Sequence, residues 1–308
     1  LGILVSEIGS SGYPDVAGNS SPGDPPGEID MTEEKLADRI TAPLSMGRVA
    51  LTVNDLGRVR SFYEQAVGLH LLRSDGETAE LGTESEVLLE LRRDTAARRR
   101  SAREAGLFHT AFLLPERGDL ARWTRHAIDT RAAVVGASDH DVSEALYLSD
   151  PEGNGVEIYI DRPASSWTWK DGEVRMVTEQ LDLDDLLATT EGRKWQGVPQ
   201  GSVIGHVHLQ VGALAPAESF YAGVLGLDVT NRYPGALFYA ANGYHHHIAT
   251  NIWNSRGAGE RSFPSTGLAE VQIRLDAARA RTIRDRADMA AQSMLHDPWG
   301  TPIALNIV

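Results

Sequence analysis

The stretch Ile204–Val211, I-G-H-V-H-L-Q-V, repeats a pattern already set out by Met46–Val53, M-G-R-V-A-L-T-V. Gly47 and Gly205 lie 158 positions apart, and the same offset relates Phe62 to Phe220, Tyr63 to Tyr221 and Gly68 to Gly226. Four landmarks at one spacing describe a duplicated module. His206 stands where the first copy has Arg48. An imidazole can ligate a metal there, whereas a guanidinium stays protonated and has no lone pair to give.

Within the first copy, Val49, Leu51 and Val53 alternate with Arg48, Ala50 and Thr52, which predicts a half-buried strand over 47–53. Asn54–Asp55 supplies a helix cap. Leu56, Val59, Phe62, Tyr63 and Val67 follow near helical spacing, and Gly68 ends the helix. Short strands are expected at 69–73, 77–81 and 86–92, giving β-α-β-β-β. The pattern restarts at Gly106 with a strand, a helix over 117–132 and a strand over 133–136. A hairpin of 144–149 and 155–160 closes it, turning at Asp150-Pro151-Glu152-Gly153, where Pro second and Gly fourth suit a type I turn. The second copy has a helix at 214–224, a closing strand Tyr244–Ile252, and a last unit from Gly267 that ends in D-P-W-G-T-P-I-A-L. The expected class is α+β, with four β-α-β-β-β units in two tandem modules, 46–161 and 203–308. A connector over 162–202 carries Trp167, Trp169 and a short helical run at Leu181–Leu187. Residues 1–45 form a tail and lead-in. The first 30 are rich in Gly, Ser, Pro and Asp, a composition that cannot offset its ordering entropy, and Met31 is an alternative start.

The 308 residues suit two domains, and 42% hydrophobic with 23% charged residues describes a globular chain. A net charge of -14 repels phosphate backbones, so nucleic acid is not an expected partner. No apolar run reaches the roughly 20 residues that span a bilayer. The opening L-G-I-L-V is too short for a signal peptide, so a cytoplasmic location is expected. With no cysteine, thiolate metal sites are ruled out. Composition leaves a homo-oligomer open.

When the four units are aligned, the inward position of the first strand is Arg48, His109, His206 and Glu270 in turn. On the last strand the second unit has Glu157 and the fourth Ala304. The first has Glu90 near the equivalent place, and the third has His245-His246-His247 just before it. Metal-capable side chains therefore gather in units two and three, as His109, Glu157 and His206. His208 shares the face of His206 and is the alternative ligand. Two imidazoles and one carboxylate on one face of an ion select non-haem Fe(II), with Mn(II) next. Units one and four form a second set without metal donors, whose expected role is structural. Strand alternation groups His245 with His247 and turns His246 away; a bulge would reverse this. His140, in S-D-H-D-V-S, is within reach of a substrate.

G-H-V-H-L with F-Y and L-G-L downstream, and D-P-E-G-N-G-V-E-I, resemble the vicinal oxygen chelate superfamily of glyoxalases, bleomycin-resistance proteins and extradiol dioxygenases. S-E-A-L-Y-L-S-D-P-E-G-N-G-V-E-I-Y and G-Y-H-H-H-I-A-T-N-I-W resemble its catechol 2,3-dioxygenase-like branch. The resemblance spans 46–308. It implies units paired into cup-shaped mixed sheets and a bivalent metal held by His109, His206 and Glu157. It also implies a further histidine acting as acid–base group, matched by His246, and a substrate-contacting tyrosine, matched by Tyr147. His245 and His247 are further substrate-binding candidates with His140. Many extradiol enzymes draw all three ligands from their second module; here Glu270 and Ala304 break that set, so the site must combine units two and three. The expected activity is ring cleavage of a catechol or hydroquinone with O2. The alternatives are a glyoxalase-type lyase or isomerase, which needs a proton-abstracting carboxylate beside Ni or Zn, and a metal-free protein that binds an aromatic ligand.

Overall fold

The computed structural model describes residues 44–190, 192–287 and 294–308. The expected tail over 1–30 lies outside them. Unit one comprises β1 (Leu44–Val53), α1 (Leu56–Phe62, continued as a π-turn to Val67), β2 (His70–Ser74), β3 (Thr78–Gly82) and β4 (Val87–Arg93). Unit two comprises β5 (Gly106–Leu113), α2 (Arg117–Thr130), β6 (Val134–Asp139), β7 (Ser143–Ser149) and β8 (Gly155–Asp161). The connector contributes β9 (Trp169–Lys170), β10 (Glu173–Val174), β11 (Glu179–Gln180) and α3 (Leu183–Ala188). Unit three has β12 (Val203–Gln210), α4 (Leu214–Glu218, continued as a π-turn to Val224), β13 (Asp228–Tyr233), β14 (Ala236–Ala240) and β15 (Ile248–Asn251). Unit four has β16 (Gly267–Leu275), α5 (Ala277–Arg286), β17 (Met294–His296) and β18 (Pro302–Ile307), three strands among the described residues where four were expected.

The units pair across the two modules. Units two and three share one sheet in the order β11-β6-β7-β8-β5-β12-β15-β14-β13; units one and four share the other, β17-β18-β16-β1-β4-β3-β2. At the centre of each sheet two first strands run antiparallel, β5 with β12 and β1 with β16. Each unit's last strand is parallel to its own first strand. The central ladders break at matching places: the register shifts between Ile204 and His206 and between His208 and Leu209, and likewise between Met46 and Val49 and between Ala50 and Leu51. A bulge adds a residue to one strand and turns the residues after it to the opposite face. Ile204 accordingly packs in the core, while His206 and His208 face the inside of the cup.

One turn in each module locks its two units together. Asp150 accepts from the amides of Glu152 (2.8 Å) and Asn154 (2.9 Å), and Tyr63, beyond α1, donates to its other oxygen at 3.4 Å. The nearly buried Glu152 carboxylate accepts from the Asn54 and Asp55 amides at 2.9–3.0 Å, capping α1 from unit two. Asp297 repeats the arrangement with Trp299, Thr301 and Tyr221, the last at 2.9 Å. The D-P-x-G phrases are thus fasteners between units.

The strand expected from Tyr244 begins only at Ile248. Asn242 and Gly243 both take positive φ, 60° and 69°, so the chain reverses there. The His245 carbonyl then accepts from Thr230 Oγ1 at 2.5 Å instead of from a strand partner. Among the described residues no helix is long and apolar enough to cross a membrane.

Candidate metal centre

His109 comes from β5, His206 from β12 and Glu157 from β8. Ala111 lies between them in register, opposite His206 on one side and Glu157 on the other. Its methyl group leaves the space above the sheet to the longer side chains. The three offer ligand atoms that all lie within 4.8 Å of one another. His109 Nε2 is 2.9 Å and His206 Nε2 3.2 Å from the same oxygen, Glu157 Oε2. Two metal bonds of about 2.1 Å at a right angle put their donor atoms about 3 Å apart, so these separations suit neighbouring ligands of one ion. The His109 Nε2 contact, although short, is not aligned as a hydrogen bond, and that buried atom has no other partner. A lone pair directed past its neighbour, toward a shared point, fits a metal better than a hydrogen-bonded trio.

Electrostatics favour a neutral His206 beside an ionised Glu157. Burial would raise the Glu157 carboxyl, but His206 and His109 beside it outweigh that and hold it well below the usual range. Burial lowers His206 to about 4, against the opposing pull of Glu157. Its Nδ1 is buried without a hydrogen-bond partner, so no acceptor there supports a second proton on the ring. His208 and His246 are pushed well below their ordinary value by burial first and then by neighbouring imidazoles. Metal binding requires neutral histidines and an ionised carboxylate, the state this environment prefers.

Tyr147 is opposite Glu157 in the β7–β8 ladder, its ring 5.7 Å from that of His109. Its hydroxyl is 2.8 Å from His140 Nε2, and His140 Nδ1 is 2.6 Å from the Val177 carbonyl. A carbonyl only accepts, so Nδ1 carries the His140 proton, and Tyr147 donates to Nε2. His246 packs its ring 4.1 Å from that of His206 and lines the cavity. His245 and His247, expected to meet the substrate, do not line it. The chain there is a turn and not a strand, so alternation does not govern it. His245 lies behind His246 and contacts Asp161, while His247 Nδ1 accepts from the Ala241 amide at 3.3 Å and its ring packs on Tyr244. His208 lines the cavity and sits 3.0 Å from the Asn251 amide nitrogen.

The cavity encloses about 500 Å³ including its open mouth. Its wall includes Val142, Met176, Val177, Phe238 and Trp253, which sequence reasoning did not place there. Met176 and Val177 come from the connector, which β11 binds to the edge of the sheet. No periodicity in the connector signals this, because the contacts that place it are long-range.

In the other cup the matching positions hold an ion cluster. Ala50 pairs with Glu270 as His208 pairs with His109, and Gln272 pairs with Ala304 as Ala111 pairs with Glu157. Arg48 lies 2.6 Å from Glu90 and 3.3 Å from Glu270; Arg92 lies 2.7 Å and 3.3 Å from the same two carboxylates. Two cations and two anions occupy the place of the triad.

The fold and this site define a class. The sequence pattern of the Glyoxalase/Bleomycin resistance protein/Dioxygenase superfamily matches residues 45–158 and 203–304, and the chain belongs to that superfamily. It is 40% identical over 232 residues to the catechol-2,3-dioxygenase of Bacillus subtilis (strain 168), covering 72% of this chain and 80% of that protein. It is 29% identical over 174 residues to biphenyl-2,3-diol 1,2-dioxygenase 3 of Rhodococcus globerulus, covering 53% and 89%. In fold it is similar to glyoxalase I from Zea mays, with a TM-score of 0.51 at 14% identity over 86% of this chain and 92% of that one.

Proposed function

We propose that the chain is a metal-dependent extradiol dioxygenase that opens the ring of a small catechol-type aromatic with O2. The observation that carries this is one carboxylate oxygen facing two imidazole nitrogens at 2.9 and 3.2 Å on the floor of a cavity with apolar walls. His109, His206 and Glu157 would hold the ion, and two nitrogens with one carboxylate favour Fe(II), then Mn(II). When bound, such an ion supplies Lewis acidity toward the substrate oxygens and a redox partner for O2. The chain does the rest. Phe238, Trp253, Val142, Met176 and Val177 present apolar surface against which a substrate ring would pack. Tyr147, already donating to His140, can accept a hydrogen bond from a substrate hydroxyl and so orient it. His246 is the acid–base group, a cavity-lining imidazole that burial keeps neutral, with a lone pair to offer a substrate O–H. The name of the 40% identical relative supports the same reaction class.

The test is anaerobic loading with Fe(II), followed by oxygenated buffer and a panel of catechols and hydroquinones. Stoichiometric O2 uptake with a ring-opened product is expected. No uptake across the panel would overturn the proposal. Zn- or Ni-dependent turnover of a hemithioacetal without O2 would assign isomerase or lyase chemistry in its place.

A further inference from the structure

We infer that His245 and Asp161 are positioning residues that decide which nitrogen of His246 carries its proton, leaving His246 Nε2 as the acceptor. Three side chains form a buried line. His246 Nδ1 is 2.7 Å from His245 Nδ1, and His245 Nε2 is 2.7 Å from Asp161 Oδ1. His245 is fully buried, its ring tilted against Tyr244 at 4.1 Å and edge-on to Trp167 of the connector at 5.1 Å. Hydrogen-bond polarity is set by the end of the line. An ionised Asp161 oxygen only accepts, so His245 Nε2 carries a hydrogen. When that is the ring's one hydrogen, His245 has a lone pair on Nδ1. The contact between the two Nδ1 atoms is a hydrogen bond only if His246 donates. His246 therefore holds its hydrogen on Nδ1, and Nε2, across the ring, holds a lone pair. Because His246 lines the cavity and His245 does not, the line runs from the cavity wall into the interior.

The consequence for chemistry rests on the proposed ring cleavage; the tautomer itself does not. A substrate O–H that meets His246 Nε2 gives up its proton, the O–H bond breaks and an N–H bond forms. The positive charge created on His246 is then linked through His245 to the Asp161 carboxylate, in the way a buried aspartate orients and supports a catalytic imidazole. The proton can return by the same path, so no oxidant or reductant is required for this step.

The wild-type protein decides the first part. Long-range 1H–15N correlation spectra of the histidine-labelled, Zn(II)-loaded protein, with His246 assigned through His246→Asn, should show the Nδ1–H tautomer. An Nε2–H signal would overturn the inference; a doubly protonated His245 donating to His246 would produce it. Asp161→Asn should shift the His246 tautomer and lower kcat on catechol by roughly 10- to 100-fold, with KM changed less than about threefold and metal content intact. Tyr244→Phe removes a second donor to the same Asp161 oxygen, the Tyr244 hydroxyl 3.3 Å away, and should leave the tautomer unchanged. If Asp161→Asn leaves the tautomer unaltered, or lowers Tm and metal content together with kcat, the relay is only structural. Should no catechol be turned over, the wild-type spectrum still tests the tautomer, so the two readings fail separately.

Discussion

Glu157 Oε2 lies between two imidazole nitrogens in an interior where an unpaired carboxylate costs several kcal/mol. Its charge should therefore be what holds a metal. Glu157→Gln keeps the shape and one oxygen but loses the charge. We expect bound metal, measured by elemental analysis after equilibrium dialysis, to fall by more than the roughly 10- to 100-fold typical of losing an outer partner, while circular dichroism stays unchanged. The pH dependence of the metal-free protein is governed by the same residues. Burial lowers His206 to about 4, so between about pH 6.5 and 4 the unfolded chain binds a proton that the folded chain refuses. The sign is a loss of stability on acidification through that window, and His208, His246 and His140 act in the same direction. Glu157, held low, also contributes stability that disappears on acidification, but only below its ordinary value of 4.5. Thermal melts should accordingly fall from pH 6.5 downward, and a Tm that stays flat to pH 5 would contradict this. That His109, Glu157 and His206 meet can be read from the sequence, because each sits at the same inward point of an aligned unit. Ala111 cannot, since its contribution is to be small. The roles of His245 and His247 were also not legible, because the Asn242-Gly243 reversal replaces the strand whose alternation would have sorted them.

At the scale of elements, β5 and β8 lie so close that Gly155 admits no side chain. A Cβ there would fall 2.1 Å from the Phe108 carbonyl and 3.0 Å from the His109 Cβ. Gly155→Ala must push β5 away from β8 at the residue that carries one nitrogen of the triad. The expected outcome is a large loss of metal affinity, read by titration with a chromophoric chelator as competitor. Gly205 is held just as tightly on the partner strand, where a Cβ would meet the Tyr159 hydroxyl at 1.7 Å. This is the physical content of the repeated glycine with which the two copies begin. The helix and strand pattern was legible because periods of 3.6 and 2 are local properties. The D-P-x-G turns were legible as turns, but not as fasteners. Asp150 and Glu152 are bound by Tyr63, Asn54 and Asp55, some ninety positions earlier, and no window on the sequence spans that distance.

Across the whole molecule, two cups of like topology have diverged in what fills them. In one, buried imidazoles surround a single carboxylate. In the other, Arg48 and Arg92 neutralise Glu90 and Glu270, and Gln272 stands where the first has Ala111. Burial opposes the Glu90 charge, but Arg92 and then Arg48 outweigh it and lower its carboxyl. Arg48→Met leaves that cluster one cation short at a site about a quarter exposed. Its cost should fall between that of an exposed and a buried pair, about 1–3 kcal/mol in chemical denaturation. Metal content and turnover should not change, because the two cups do not share these residues. The connector divides the work differently. It belongs to neither module, yet it supplies Met176, Val177 and Thr178 to the cavity and covers His245 with Trp167. Mutational drift at those three lining positions can reshape the cavity wall while all three candidate ligands stay fixed on strands. Under the proposed ring cleavage, Met176, Val177 and Thr178 are therefore where descendants can retune the choice of substrate, whereas Trp167, packed on His245, is a position that such drift must spare.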